Sequence, residues 1–445
     1  MLITKILRNS LFLIIFSMLL ISCEDIFHDA SSLLEEISKN SKIQEPRRIF
    51  LGGDLYYSFD AKNRDAFITL NGNGNIDGDF LSKSSGVVIG SPTALTKWGV
   101  NDIELTDMYI YIGGNFMGYD TSNTYSPDSQ FQMVQRYSRD GSFDNKYKPF
   151  LNIPGNVEIY AIEALDDSLI AGGNFGPYTA SNYSGETELI RFTPDGNGSI
   201  STYPSAPDGS YIYSLETLYE NTGQTVGGTF NIFDSEAGLS NFAIVADETV
   251  VPASSLDLVN FPSSTEVRDS TTWNDTLFIV GNETAMTDGF LHKYVFNGSS
   301  FVSDTSFNNA FYGNLTDPTL TFDKVNTVTV DKIGRIYIGG QFSNQQDSNG
   351  SFHNNIMRIT TTGEIDSYFR ADIVSGEVFA IEIQDNGKIL VGGQFSTVNG
   401  VSMINSTIPI NGYIRLQEYG SIDYEFDYGS FSGGNIYSIA IEEES

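Results

Sequence analysis

One cysteine, Cys23, occurs in the 445 residues of this chain. No disulfide can therefore form within it, even in an oxidising compartment. Basic side chains are also scarce, with 24 Lys and Arg against 56 Asp and Glu. A field of that sign repels polyphosphate and anionic head groups, which excludes nucleic acid and acidic lipid surfaces as partners. There are three histidines, His28, His292 and His353, at unrelated places in the sequence, so no shared metal site is expected of them. The chain lacks a Gly-x-Ser-x-Gly elbow and a phosphate-binding glycine loop. Its acids are too numerous for one pair to stand out as an acid/base couple. No catalytic residue, metal or cofactor is expected. After Cys23 no apolar run is long enough to cross a bilayer.

Glycine and aromatic residues are plentiful, with 43 Gly and 13% Phe, Trp and Tyr. That composition suits β structure with many tight turns. One phrase recurs along the chain. Tyr109-Ile110-Tyr111-Ile112-Gly113-Gly114-Asn115-Phe116 returns as Leu169-Ile170-Ala171-Gly172-Gly173-Asn174-Phe175. It returns again at Val226-Gly227-Gly228-Thr229-Phe230, Ile338-Gly339-Gly340-Gln341-Phe342 and Val391-Gly392-Gly393-Gln394-Phe395. Two worn copies are Ile49-Phe50-Leu51-Gly52-Gly53 and Leu277-Phe278-Ile279-Val280-Gly281. Seven copies at an average spacing of about 57 residues imply one strand-rich unit per copy, a propeller or a solenoid.

The last copy shows the unit most clearly. Glu377–Ile383 reads as a first strand, Lys388–Gly393 as a second, Tyr413–Leu416 as a third and Ile422–Phe426 as a fourth. Four short strands joined by turns make one propeller blade. Paired glycines in the second strand let a neighbouring blade approach the backbone, and the following Phe is expected to fill the space between blades. A basic residue stands five before the third turn's glycine: Arg136, Arg191, Lys293, Arg358 and Arg415. An Asp often stands three after that glycine, as Asp77, Asp144, Asp366 and Asp423 do. The expected role is a cross-strand pair that maintains the blade, in preference to an anion-binding ring of arginines. The body opens on a second strand at Arg47–Gly53 and closes on a first strand at Asn435–Ile441. The fold class expected is all-β: a seven-bladed β-propeller of four-stranded blades, closed by pairing of the C-terminal strand with the N-terminal blade.

The same grammar resembles the delta-60 repeat, a bacterial β-propeller family. The residues that carry the resemblance are Val378, Ala380, Ile381, Asn386, Gly387, Lys388 through Phe395, Ile414, Arg415, Leu416, and Gly420 through Asp423. It covers about residues 48–441. It implies the fold and an extracellular setting, and no activity.

The N-terminus has its own signature. Lys5 and Arg8 precede an apolar segment, Leu11–Ile21, too short for a stable membrane span, which ends in small residues: a secretory signal peptide. Leu20-Ile21-Ser22-Cys23 resembles the lipobox of bacterial lipoproteins. That resemblance implies cleavage before Cys23, acylation of its thiol, and anchoring to a membrane, which leaves no thiol for catalysis. The expected organisation is a signal peptide at 1–22, the lipidated cysteine and a flexible tether at 23–47, and the propeller at 48–445. The expected address is the bacterial outer membrane, surface-exposed or periplasmic. The mature chain carries 22 basic and 56 acidic side chains, a net charge of −34, which suits solubility beside a membrane.

Two weaker patterns resolve into structure. Asn71–Asp79 has the alternating oxygens of a calcium loop, but it aligns with the third turns of the other copies and reads as a hairpin turn. Trp273, after a faint sialidase-like Asp269–Thr272, reads as a packed side chain. Between second and third strands the copies differ most, and the loops are rich in Tyr, Ser and Asn, a composition used by recognition surfaces. Tyr119, Tyr125, Tyr178 and Tyr183 are the candidate binding residues. The function expected is a monomeric, non-catalytic binding or scaffold module for a protein or glycan. The alternative is a propeller lyase or glycosidase acting on extracellular carbohydrate. Such enzymes draw charged residues from the ends of first strands and the blade connections. Here stretches such as Asn152–Asn156 and Val374–Gly376 are small or apolar.

Overall fold

Apolar runs such as Ile336-Tyr337-Ile338 and Ile389-Leu390-Val391 become strands buried on both faces, which is why they do not alternate with polar residues. The computed structural model describes residues 45–443, apart from 60–61, 85–98, 117–132, 148–157, 166–167, 176–177, 181–182, 186–187, 195–197, 200–208, 219–222, 232, 234–238, 247–248, 253–264, 284–287, 315–322, 403–411 and 429–433. The described residues form antiparallel sheets with two short helices.

The first strands are β1 (Arg48–Phe59) and β2 (Lys62–Asn71), followed by helix α1 (Gly78–Lys83). A three-stranded sheet of β3 (Gly99–Leu105), β4 (Tyr109–Asn115) and β5 (Val134–Ser138) comes next. Strands β6 (Glu158–Leu165) and β7 (Ser168–Asn174) lead through the hairpin β8 (Tyr178–Ala180) and β9 (Tyr183–Gly185) to β10 (Leu189–Phe192) and β11 (Gly198–Ser199). A fourth sheet holds β12 (Tyr211–Thr217), β13 (Gln224–Thr229), β14 (Phe242–Ala246) and β15 (Thr249–Val250). A fifth holds β16 (Thr265–Trp273), β17 (Thr276–Glu283), β18 (Asp288–Phe296) and β19 (Phe301–Ser303), and helix α2 (Thr305–Asn314) follows it. Strands β20 (Lys324–Val330) and β21 (Ile336–Gln341) are joined by the hairpin β22 (Gln345–Gln346) and β23 (Phe352–His353) to β24 (Ile356–Ile359). The last full sheet comprises β25 (Ile373–Ile383), β26 (Ile389–Val398), β27 (Val401–Ser402) and β28 (Tyr413–Leu416). The final strand, β29 (Ile436–Glu442), pairs with β1, with Arg48 opposite Glu442, Leu51 opposite Ile439 and Gly53 opposite Ile436.

Both glycines of the repeated phrase have steric causes. At the first, the neighbouring sheet sits against the bare backbone: a Cβ on Gly172 would lie 2.4 Å from Ile212, and one on Gly392 would lie 2.6 Å from Ile436. At the second, the first strand of the same sheet bulges toward it, so a Cβ on Gly173 would stand 2.1 Å from the carbonyl oxygen of Glu158. The fifth copy puts Val280 at the first position, where it is buried with Val325 and Val328. The phenylalanines that follow, Phe116, Phe175, Phe230, Phe342 and Phe395, are all buried.

The core lies between sheets packed face to face. Tyr111 and Val134 of one sheet share a cluster with Ile159, Ile162 and Leu169 of the next. Each such buried aliphatic side chain contributes about 1.5–3 kcal/mol.

Arginine–aspartate pairs stitch the sheets as expected. Arg136 meets Asp144 at 2.7 Å, Arg358 meets Asp366 at 2.7 Å and Arg415 meets Asp423 at 2.8 Å. Each arginine also donates through Nη1 to a carbonyl oxygen of another sheet or its turn: Pro194, Glu418 and Gly72 respectively. The first sheet has Thr69 in place of the arginine, so Asp77 pairs instead with Arg48 of β1 at 2.7 Å. Lys293 turns to Asp304, and Arg191 donates to the Ser168 hydroxyl. Glu45 joins the last network through Lys388 and Arg415, both at 2.6 Å.

The fourth strand differs from expectation. At Ile422–Phe426 it shrinks to one bridge, Leu416 opposite Ile422, and the same reduction occurs at Ile76, Phe143 and Ile365. The cause at Asp423 is local: one carboxylate oxygen takes the Glu425 N–H and the other takes Arg415, so the chain turns instead of extending. Asn71 accepts the N–H groups of Asn73 and Asn75 and closes a plain hairpin turn. Trp273 packs against Gly334.

Candidate functional site

A cavity of about 310 Å³ is walled by β3, β6, β12, β16, β20, β25 and β29. Each of these strands carries a bulge, and the extra residue is Asn101, Tyr160, Tyr213, Arg268, Asn326, Phe379 or Tyr437. A bulge re-aims side chains. In β6 the inward apolar residues become Ile159 and Ile162, three apart instead of two, while Tyr160 and Glu163 line the cavity.

Aromatic residues dominate the level of the bulges. The Tyr160 ring lies 5.1 Å from that of Tyr213, and Tyr211 stacks on Tyr213 at 5.8 Å. Phe379 and Tyr437 are 5.5 Å apart. The Arg268 guanidinium sits 4.2 Å from the Tyr213 ring centre and 2.6 Å from Glu266. Tyr160 donates its hydroxyl to Glu158, and Tyr437 donates to Asp54.

Farther along the same strands the wall becomes acidic. Asp102 and Glu104 of β3, Glu163 of β6, Glu216 of β12, Asp269 of β16 and Glu382 of β25 all line the cavity. Most of these carboxylates are engaged with the next strand. Asp102 accepts the Ile162 N–H at 2.8 Å and its own neighbour Ile103 at 2.8 Å. Asp269 repeats this with Val328 at 2.9 Å and Ser270 at 2.8 Å. Glu163 takes the Thr217 N–H at 3.1 Å. Ser438 of β29 donates to Asp102, linking the last strand to β3.

Glu382 is the exception: among the described residues no hydrogen bond or ion pair engages its carboxyl, and the charges it feels are those of Asp269 and Asp102. Enclosure by protein pushes these groups up, to about 6 for Asp102, about 7 for Glu163 and Asp269, and about 8 for Glu382. In the first three the backbone donors hold the rise in check. Glu104 and Glu216 are also raised by burial and by their acidic neighbours.

A propeller enzyme is expected to carry its charged residues at the ends of first strands and in the blade connections. The structure places them inside the first strands. The signal was present: Glu104, Glu163, Glu216 and Glu382 each stand three residues after the bulge. Among the described residues no three His, Cys, Asp or Glu side chains come together to hold a metal ion. His292 lies among Phe290, Tyr294 and Tyr312, and His353 meets Asp347 at 3.3 Å, so the two serve separate places. Cys23, Tyr119 and Tyr125 lie outside the described residues. Tyr178 and Tyr183 have described backbones, in β8 and β9, where Ala180 pairs with Tyr183 and Tyr178 with Gly185.

A family model described as a domain of unknown function (DUF5122) beta-propeller matches residues 334–369 and 384–405, which hold strands β21 to β24 and β26 to β27, and supports a propeller-repeat family for this chain. No curated protein matches. Two solved structures are similar over 90% of this chain and 100% of their own. One is a protein of unknown function from Bacteroides caccae, 9% identical with a TM-score of 0.38. The other is a protein from Lactobacillus plantarum, 10% identical with a TM-score of 0.41. Likeness at that level carries no functional argument. The all-β fold of antiparallel sheets and the propeller repeat together are what place a strand-walled cavity in this protein.

Proposed function

We propose that this protein is a lipid-anchored, seven-bladed β-propeller, of the delta-60 repeat type, that binds an extracellular glycan without cleaving it. Support for a closed ring comes from three links between the ends: β29 on β1, Arg415 on Gly72 and Ser438 on Asp102. Support for anchoring is the Leu20-Ile21-Ser22-Cys23 sequence, with Cys23 acylated and the protein held at the outer membrane. A clickable fatty acid fed to cells should label the wild type and leave Cys23→Ala unlabelled; equal labelling would remove the anchor from the account.

The observation that carries glycan binding is the aromatic level of the cavity. Tyr160, Tyr211 and Tyr213 offer ring faces beside Arg268, Glu158 and Glu266, flat apolar area next to hydrogen-bonding groups. Strands β4 and β7 end opposite Gly99 and Glu158, at that same end, so the segments carrying Tyr119, Tyr125, Tyr178 and Tyr183 start from it. The carboxylates argue against acid/base chemistry, because Asp102, Asp269 and Glu163 are held by backbone N–H groups. The enzyme alternative, a lyase or glycosidase, rests on Glu382, whose pKa of about 8 suits a general acid but which lacks a second free carboxylate.

A glycan screen with the full chain tests the reading. Retention of an uncleaved oligosaccharide is expected. Tyr211→Ala, at a 37% exposed position, should weaken it roughly five-fold, since one aromatic contact is worth about 1 kcal/mol. Adding Tyr119→Ala, Tyr125→Ala, Tyr178→Ala and Tyr183→Ala should extend the loss past ten-fold. Retention untouched by all five changes would refute the site, and cleaved product would favour the enzyme.

A further inference from the structure

Six carboxylates line one small cavity, and the lining includes one cationic side chain, Arg268, already paired with Glu266. The whole chain, at −32, adds a field of the same sign, which draws cations toward such a cavity. Glu382 supplies the decisive observation. Its half-buried side chain lines the cavity, lies among the like charges of Asp269 and Asp102, and has no donor of its own among the described residues. An unpartnered carboxylate held among like charges is disfavoured when ionised, so a site of this kind is completed by something that brings positive charge.

A single metal ion does not fit, because among the described residues no three such side chains converge on one point. The charges are instead spread around the wall on β3, β6, β12, β16 and β25. A ligand with separated charges matches them. Ring faces of Tyr160, Tyr213, Phe379 and Tyr437 stand in the same cavity, and aromatic faces attract cations and cover methylene groups. The volume, about 310 Å³, falls at the small end of ligand pockets, roughly 300–1,000 Å³, and suits a slender molecule.

We propose that the cavity takes a linear aliphatic polyamine, its ammonium groups against Glu382, Asp269 and Asp102 and its methylene chain along the aromatic residues. Such a ligand would share the ring with a glycan but does not require one. Ammonium groups favour ionised carboxyls, so binding displaces the protons that Glu382, Asp269 and Glu163 hold near neutral pH. Facing Glu382 are Asp102 and Glu104 of β3, Tyr160 and Glu163 of β6, Tyr213 and Glu216 of β12, Arg268 and Asp269 of β16 and Tyr437 of β29; β20 presents no titratable group there, with Asn326, Thr327, Val328 and Thr329.

Titration calorimetry of the full chain with spermidine, at 150 mM salt in two buffers of different ionisation enthalpy, is the test. One molecule should bind per chain with release of protons, at least ten-fold tighter at pH 8 than at pH 6. Glu382→Gln should weaken binding at least ten-fold while keeping the wild-type circular dichroism, and Tyr368→Ala, at an exposed position away from the cavity, should leave it within two-fold. Because Glu382→Gln replaces an unpartnered, largely protonated carboxyl with a neutral amide of the same shape, loss of folding is not the expected cause of any change; the unfolding midpoint of the variant checks this. No heat at millimolar spermidine, equal binding to Glu382→Gln, or equal competition by magnesium chloride at matched ionic strength would overturn the proposal.

Discussion

A chain ending at Gly434 is expected to lose its cooperative unfolding transition. The missing strand, β29, pairs with β1 from Arg48 to Gly53. It buries Ile436 and Ile439, which pack against Gly392 of the β25–β26 sheet. Losing two buried isoleucines costs about 2–5 kcal/mol each. The backbone ladder of β1 would be left unpaired at an apolar edge, Ile49-Phe50-Leu51, which invites aggregation. Glu442 would no longer meet Arg48, and Asn435 and Tyr437 would no longer meet Asp54. The total approaches the whole stability of a domain, about 5–15 kcal/mol. Thermal unfolding followed by circular dichroism checks this. A truncated chain that melts sharply within a few degrees of the wild type would show that β29 is an accessory.

The second large effect is on pH, and its sign is unusual for so acidic a protein. Carboxyls in an unfolded chain titrate near 4. In the folded protein Asp102 is raised to about 6, Glu163 and Asp269 to about 7 and Glu382 to about 8. Between pH 6 and 9 the folded state therefore holds protons that the unfolded state has released. Their stabilisation is complete below the unfolded values and is lost as pH rises through the folded ones. His292, lowered to about 4 by burial, and His353, also lowered by burial, act in the opposite sense. They do so only below about pH 6.5, where an unfolded imidazole takes its proton. Asp144 and Asp423, held below the usual range against burial by their arginines, titrate outside this window. The unfolding free energy should be highest near pH 6 and lower at pH 9, by on the order of 2 kcal/mol once solvent access through the cavity is allowed for, and the unfolding midpoint should fall with it. Glu382→Gln should flatten the part above pH 7. A midpoint that climbs steadily from pH 6 to 9 would contradict the raised values.

Much of the fold was legible because its constraints are local and repeated. Gly-Gly marks two close approaches that leave little room for a Cβ, so the phrase recurs in nearly every copy, with Val280 the exception at the first position. Arg–Asp pairing was legible for the same reason, since both partners sit at fixed offsets from a turn glycine. Arg48–Asp77 was not, because that pair joins β1 to the turn after β2 and follows no offset. The cavity was harder to read. A bulge inserts one residue between Ile159 and Ile162, so the period of two that identifies a strand face breaks where the lining begins. Six informative carboxylates were hidden among 56 acids, and only the register that aligns Glu104, Glu163, Glu216 and Glu382 separates them from the surface. The fourth strands were over-read, because a sequence such as Ile422–Phe426 has strand composition while Asp423 is committed to a turn.

The central claim is that the two ends of the body meet and close a ring. Ile49 and Ile441 face each other in the β1–β29 ladder. Cross-strand partners of this kind lie within about 4.5–5.5 Å at Cα, inside the range a disulfide bridges. The direct measurement is oxidation of Ile49→Cys with Ile441→Cys in a Cys23→Ser chain, followed by non-reducing electrophoresis and thiol counting. The account requires one intramolecular disulfide, faster migration and no free thiol. Two free thiols, or disulfides formed only between chains, would contradict it.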